Sequence, residues 1–352
     1  MKILAINPGG TSTKIAVFAD QEELLNVNVK HAEDELHQFA TVFEQLPLRR
    51  QAILQTLEQH GLPLGELDAV VGRGGLLRSV SGGTYAVNDR MVEDLRNAVN
   101  GEHPSNLGPV LARDIAAPLN IPSFIVDPVS VDEFDAVARL SGLAEIERPS
   151  WLHALNHKAV CRKVAREMGG EYKDFNFIVA HLGSGISIAA HREGRMVDGS
   201  GGRSNGPFSP ERCGSLPAYP LVQLCFSGRY THEELVRKIS TQAGMFDYLG
   251  TKDMIEIERR CVEDDPEASV VLDAFVYQAC KDIGGYAAAL RGKVDRIIVT
   301  GGIAHSELIV RMIRDRVGWL AEVAVVPGEM EMQALALGAL RVLSGAEQPA
   351  EY

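Results

Sequence analysis

A hairpin carrying glycines and hydroxyls occurs twice in this chain, half a chain apart, and any fold must accommodate both copies. Residues 3–17 (ILAINPGGTSTKIAV) run as apolar strand, glycine and hydroxyl turn, apolar strand; residues 177–190 (FIVAHLGSGISIAA) repeat the pattern. Asn7 and His181 occupy matching places, 174 residues apart in a chain of 352. The repeat predicts two like domains, each presenting a backbone-lined turn. Glycines let bare N–H groups approach an anion, and hydroxyls add donors, so a nucleoside triphosphate is the natural guest.

The chain is long enough for two domains that each bury a core. Forty-seven acidic residues stand against 35 basic, a net charge of −12, with no Lys/Arg block. That argues against nucleic acid or an anionic membrane as the main partner. The five cysteines are scattered with no CxxC pair, so neither a disulfide framework nor a zinc site is expected. The opening apolar run stops at Asn7-Pro8-Gly9, too early for a signal peptide, and no run approaches a membrane span. A reduced, cytoplasmic enzyme is the expectation.

Strands and helices alternate, which predicts an α/β protein. Helices are expected over 48–61, 91–99, 270–290, from about Ser306, and over 332–340; strands over 67–71, 122–126 and 294–300. The domain boundary is placed in 147–150, giving an N-terminal domain of 1–148, joined by the C-terminal helix 331–352, and a second domain of 149–330.

Phosphoryl transfer asks a protein for cations, a metal and fixed reactants more than for covalent help. Arg73 lies in Gly72-Arg73-Gly74-Gly75 and Arg212 in a turn ending at Gly214, where small neighbours expose a guanidinium. Asp127 ends a strand and is a candidate Mg²⁺ partner, with Glu331 or Glu329 as the second; Mg²⁺ keeps most of its waters, so two carboxylates suffice. Gly301-Gly302 follows a strand and precedes a helix, where a nucleotide can lie against backbone. Each feature has a plainer reading: a surface Arg, an Asp-Pro turn, and core histidines at 153, 157 and 181. No P-loop and no dinucleotide fingerprint occurs, so the residues alone reach a two-lobed phosphate-binding protein.

The runs 5–14 and 181–185 resemble the two phosphate segments of the acetate and butyrate kinase family. Residues 72–78, 82–88, 126–129, 153–159 and 206–212 are similar in order to that family, and most of all to its butyrate kinases, whose compact length this chain shares. The resemblance implies a duplicated actin-like (ribonuclease H-like) fold with an interdomain cleft, a homodimer, ATP and Mg²⁺ as cofactors, and reversible transfer between ATP and a short-chain fatty acid, giving an acyl phosphate and ADP. It implies that Asn7, Thr11, Ser12 and Lys14 hold ATP phosphates, and that His181, Gly183, Ser184 and Gly185 line the phosphate path. Arg73 and Arg212 would clamp carboxylate and phosphoryl group, with His153 as transition-state donor. Asp127 and Glu331 would organise Mg²⁺, and Asp253, Gly301, Gly302 and Ile303 would face the adenosine.

Leu152, Pro207 and Phe208 are candidate walls of the acyl pocket. Gly10 and Cys213 stand where the family usually has Ser, which predicts altered rate or affinity rather than lost activity. Acetate, propionate and branched acids are the alternative substrates. A filament-forming or regulatory nucleotide-binding protein is the distant alternative.

Overall fold

Two compact units make up the chain in the computed structural model, which describes residues 1–201 and 205–352. Unit 1 comprises Met1–Asp132, Ala154–Ala159 and Met330–Tyr352; unit 2 comprises Glu133–His153 and Val160–Glu329.

Unit 1 is built on strands β1 (Lys2–Pro8), β2 (Ser12–Ala19), β3 (Glu22–Lys30), β4 (Ala69–Arg73), β5 (Thr84–Ala86) and β6 (Ser123–Val126), in spatial order β3-β2-β1-β4-β6-β5. Strands β1, β4 and β6 are mutually parallel, and the hairpin partners β2 and β3 are antiparallel. Unit 2 has β7 (Asn176–Leu182), β8 (Ile186–Arg192), β9 (Arg195–Gly201), β10 (Arg296–Gly301) and β11 (Val323–Pro327), in order β11-β10-β7-β8-β9. This is the order of unit 1 without its extra edge strand. β1 and β7 begin and end 174 residues apart, the offset read from the sequence. Strands β3 and β9 extend each hairpin by one antiparallel strand that the motif alone did not announce.

β1 reads as an unbroken apolar run because both faces of its sheet are covered. Ile3, Ala5, Ala16 and Phe18 pack with Leu335, Ala336 and Ala339 of the helix Glu331–Leu343. Leu4, Ile6, Ile15 and Val17 pack with Ile53 and Leu57 of the helix Leu46–Gln59 and Leu111 of the helix Leu107–Ala116. In unit 2, Ile178, Ala180 and Leu182 bury against the helices Pro266–Ala289 and Glu307–Val317.

The predicted helices all form, with ends shifted by one to four residues. The helix expected over 48–61 begins at Leu46 because Pro47 occupies its first turn, where a missing N–H costs nothing. The helix expected from 270 starts at Pro266, and the Asp265 side chain caps the N–H groups of Glu267 and Ala268. Its foreseen apolar positions, from Val271 to Tyr286, are all buried. No helix among the described residues is long and apolar enough to cross a membrane.

Candidate active site

Unit 1 gathers its candidate residues at the carboxyl ends of β1, β4 and β6, the edge where parallel sheets meet ligands. Ile6 pairs with Gly72 and Arg73 with Val126, so Asn7 and Arg73 are level and Asp127 follows one residue beyond them. Lys14 stands opposite Asn7 across the hairpin, which puts both side chains on the face that packs against the helix Glu331–Leu343. Glu331 opens that helix, buried to 6% exposure, and ties Asn7 to Arg73. Its Oε1 ion-pairs with Arg73, and its Oε2 accepts from Asn7 Nδ2 at 2.8 Å.

Close packing explains the glycines around Arg73. A Cβ at Gly72 would sit 2.1 Å from the Gly108 carbonyl oxygen, and one at Gly74 would sit 2.5 Å from Pro128 Cβ. A side chain at Gly72 would push the Arg73 segment off the helix Leu107–Ala116, and one at Gly74 would push it away from Pro128. Asp127 is 1% exposed and holds φ at +39°, a left-handed conformation unusual for a residue with a side chain. Such strain costs on the order of 1–3 kcal/mol and clusters at functional sites. Here it turns Asp127 Oδ1 onto the Gly83 N–H at 2.8 Å. Thr11 and Ser12 lie in the turn itself, where Gly9 N–H donates to the Ser12 carbonyl at 2.8 Å.

Unit 2 brings together residues that the sequence offered separately. The His153 and His181 rings stack with centroids 4.0 Å apart and planes 16° from parallel. Ser187, paired opposite His181 as Lys14 is opposite Asn7, shares a 2.7 Å hydrogen bond with His153 Nδ1 and so fixes that ring. Glu329 Oε1 lies 3.8 Å from His181 Nε2 on a half-exposed side chain, while Glu331 sits buried in unit 1.

Arg212 lies directly against the second turn: a Cβ on Gly185 would come 2.8 Å from its Nη1. Ser209 holds this contact. Its hydroxyl donates to the Ser184 carbonyl at 2.7 Å and accepts from the Arg212 N–H at 3.0 Å. Gly301, at φ +90°, passes so close to β7 that a Cβ would meet the Leu182 carbonyl oxygen at 2.3 Å.

Gly183, Ser184, Gly302 and Ile303 line a cavity of about 760 Å³ with Lys252, Met254 and Ile255. Asp253 sits between two of those lining residues, yet its own carboxylate caps the helix Met254–Val262 through the Ile255 N–H. A second, small cavity of about 40 Å³ touches Arg212, Pro207 and Cys213. Burial raises the Cys213 thiol pKa, which makes it a poor nucleophile. Leu152 is buried against Gly199, where a Cβ would meet Leu152 Cδ1 at 2.5 Å. The Phe208 ring packs 6.2 Å from Phe275 in the unit 2 core, and neither Phe208 nor Leu152 lines either cavity.

A family model described as the "Acetokinase family" matches residues 146–325, just over half of the chain. The chain belongs to the acetokinase family. These are kinases that phosphorylate short-chain carboxylates with ATP and a divalent metal. Among solved structures, the acetate kinase of Porphyromonas gingivalis matches with a TM-score of 0.76 at 19% identity, covering 98% of this chain and all of that one. A propionate kinase from Francisella tularensis subsp. tularensis SCHU S4 matches at 0.75 and 18%, covering 96% and 98%. The Entamoeba histolytica acetate kinase matches at 0.75 and 16%, with the same coverages. The two like sheets are therefore the duplicated actin-like fold of the acetokinases.

The donor set suits the family's metal. Among the described residues no group of three or more metal-ligating side chains occurs. Asp127 and Glu331 are hard, buried carboxylates in one unit, and Glu331 already serves Arg73 and Asn7. That is the chemistry of an ion such as Mg²⁺ held largely through its own waters and substrate phosphates.

Proposed function

We propose that this acetokinase is a butyrate kinase, catalysing butanoate + ATP = butanoyl phosphate + ADP. A carboxylate oxygen attacks the γ-phosphorus, the bond to the β–γ bridging oxygen breaks, and ADP leaves. The carboxylate is ionised at neutral pH, so no general base is required. The task left to the protein is charge stabilisation and positioning.

The observation that carries this reading is the pair of arginines held on glycine-lined backbone, Arg73 by Glu331 and Arg212 by Ser209 and Gly185. In this reading they neutralise the carboxylate and the phosphoryl group in flight, and His153, oriented by Ser187, donates to the latter. Asn7, Thr11, Ser12 and Lys14 hold the ATP phosphates. The unit 2 cavity, with Gly183, Ser184, Gly302 and Ile303 in its wall, takes the adenosine side, and His181, Gly185, Gly301 and Asp253 border it. Asp127 and Glu331 hold Mg²⁺, which supplies neutralisation of the polyphosphate when bound. Leu152, Pro207 and Phe208 are apolar candidates for the acyl side. The choice of butanoate over acetate, propionate or a branched acid rests on the ordered sequence runs set out above.

A homodimer fits the surface of unit 2. The helix Ala218–Cys225 has no buried residue, with Tyr219 76% exposed and the following Phe226 87% exposed. Residues 216–228 include no charged side chain. An uncharged apolar stretch of this kind marks an interface, and a second copy of the chain is its proposed occupant. No disulfide joins the cysteines among the described residues, which suits a reducing, cytoplasmic setting. The test of the reaction is ATP consumption and acyl phosphate formation that both depend on added butyrate; ATP hydrolysis indifferent to butyrate would refute it.

A further inference from the structure

Behind the first phosphate turn sits a cation that the proposed chemistry does not use. Arg49, on the helix Leu46–Gln59, is 0% exposed. Its five N–H groups all have acceptors. Nε and Nη2 donate to Gln45 Oε1 at 3.1 and 2.9 Å. Nη1 donates to the Ser12 carbonyl at 2.9 Å and to Thr13 Oγ1 at 3.1 Å, and Nη2 to the Gly10 carbonyl at 3.1 Å.

Every acceptor is neutral, and no carboxylate pairs with Arg49 among the described residues. The fork is satisfied while its charge is not cancelled, although the chain carries 47 acidic residues. A guanidinium keeps its proton even when buried, so the charge stays. Its field is felt nearby: burial and then the Arg49 charge lower the pKa of His31, whose Nε2 lies 2.8 Å from Thr13 Oγ1.

The geometry aims that charge at the turn. Thr13 lies on the sheet face covered by the helix Leu46–Gln59, opposite the face of Asn7 and Lys14. The carbonyls of Gly10 and Ser12 bound the turn, and the Gly10 carbonyl belongs to the peptide unit that carries the Thr11 N–H. A carbonyl that accepts from a cation polarises its own peptide N–H, which becomes a better donor on the other side. An unpaired buried charge is costly to the folded chain, and an anion bound at the turn would offset that cost.

We propose that Arg49 is a positioning residue that shapes the Gly9–Ser12 turn and lends it an uncompensated positive charge, for which a nucleotide polyphosphate supplies the countercharge. This rests on the reading of that turn as the phosphate-holding one. A purely structural strap would need the five hydrogen bonds but not the net charge, and Gln45→Glu separates the two. It keeps an acceptor for Nε and Nη2 and adds a carboxylate against the guanidinium.

The experiment compares full-length wild type, Gln45→Glu and Arg49→Lys by calorimetric titration with MgATP and by nucleotide-free Tm. In Gln45→Glu the nucleotide-free Tm stays level or rises, while the MgATP Kd and KM rise about fivefold to tenfold, as a unit charge at roughly 8 Å and an effective dielectric of about 40 dictates. Its kcat at saturating ATP stays within about twofold, because the lost term acts on binding. Arg49→Lys keeps charge and loses the fork, so its Tm falls more than its nucleotide affinity. Normal wild-type binding with an unchanged Kd in Gln45→Glu overturns the proposal alone. Wild-type protein that fails to bind MgATP overturns the phosphate-turn reading and the proposal with it.

Discussion

Replacing Gly185 by alanine displaces Arg212 without touching it. The Gly185 backbone lies outside the left-handed region, so alanine fits its dihedrals. The added Cβ would stand 2.8 Å from Arg212 Nη1 and 3.3 Å from Cζ. Ordinary contact is about 3.5 Å, so the guanidinium must retreat by roughly 0.7 Å. It is the far end of a flexible side chain, and the protein absorbs that shift cheaply. Catalysis does not, since a misplacement of about 1 Å costs up to ~10²-fold in rate. The expected outcome is a kcat lower by about tenfold to a hundredfold, or about 1.4–2.7 kcal/mol of barrier. The Tm should stay within about 2–4 °C of wild type, the shift that about 1 kcal/mol produces in a domain of this size. Coupled-assay kinetics with butyrate and MgATP, alongside a thermal melt, measure both. A kcat within twofold of wild type at unchanged Tm would refute the placement of Arg212 in the reaction.

Two further outcomes follow from other parts of the molecule. Asp94 accepts from Arg78 Nε at 2.7 Å and from the Tyr352 hydroxyl at 2.8 Å, and the Arg78 hydrogen bond foremost holds its carboxyl below the usual range. A folded-state pKa so depressed stabilises the fold above the ordinary carboxylate range, and that stability is lost as pH falls through the lowered value. Asp94→Asn should therefore lower Tm at neutral pH, with the gap closing in acid; a gap independent of pH would contradict the ion pair's role. Phe226→Glu puts a charge on the uncharged stretch after the helix Ala218–Cys225, and sedimentation should show a dimeric wild type and a monomeric variant. Dimers in both would remove that face as the interface.

Much of the fold was legible because the duplicated hairpin repeats the boundaries of its first strand: β1 and β7 run in step over all seven residues. The turn is where the copies diverge. Four residues separate the paired Pro8 and Thr13, but only three separate Leu182 and Ile186. Ser187 is thus the counterpart of Lys14, and a fixed offset hides its place beside His153. Arg49 was invisible for a different reason. In a helix of sequence LPLRRQAILQTLEQ it reads as one more polar position, and its burial is decided by carbonyls 37 and 39 residues away. Ser209 belongs to the same class, since its value lies in linking the Arg212 turn to Ser184, 25 residues earlier. Phe208 follows Pro207 along the chain, and its packing beside Phe275 is set by a residue 67 positions later that no local pattern announces. Glu331 and Glu329, two residues apart in the sequence, part in the structure: Glu331 is buried on Arg73 and Asn7, and Glu329 lies beside His181.

The most direct test of the central claim traps acyl phosphate as hydroxamate from MgATP with acetate, propionate, butyrate, isobutyrate and isovalerate in parallel. Each methylene is worth about 1–3 kcal/mol in an apolar pocket, so the profile should be graded with its maximum at butyrate. A maximum at acetate or propionate would keep the phosphoryl chemistry and contradict the butyrate assignment. No hydroxamate from any acid, in protein that binds MgATP, would contradict the account of the site as a carboxylate kinase.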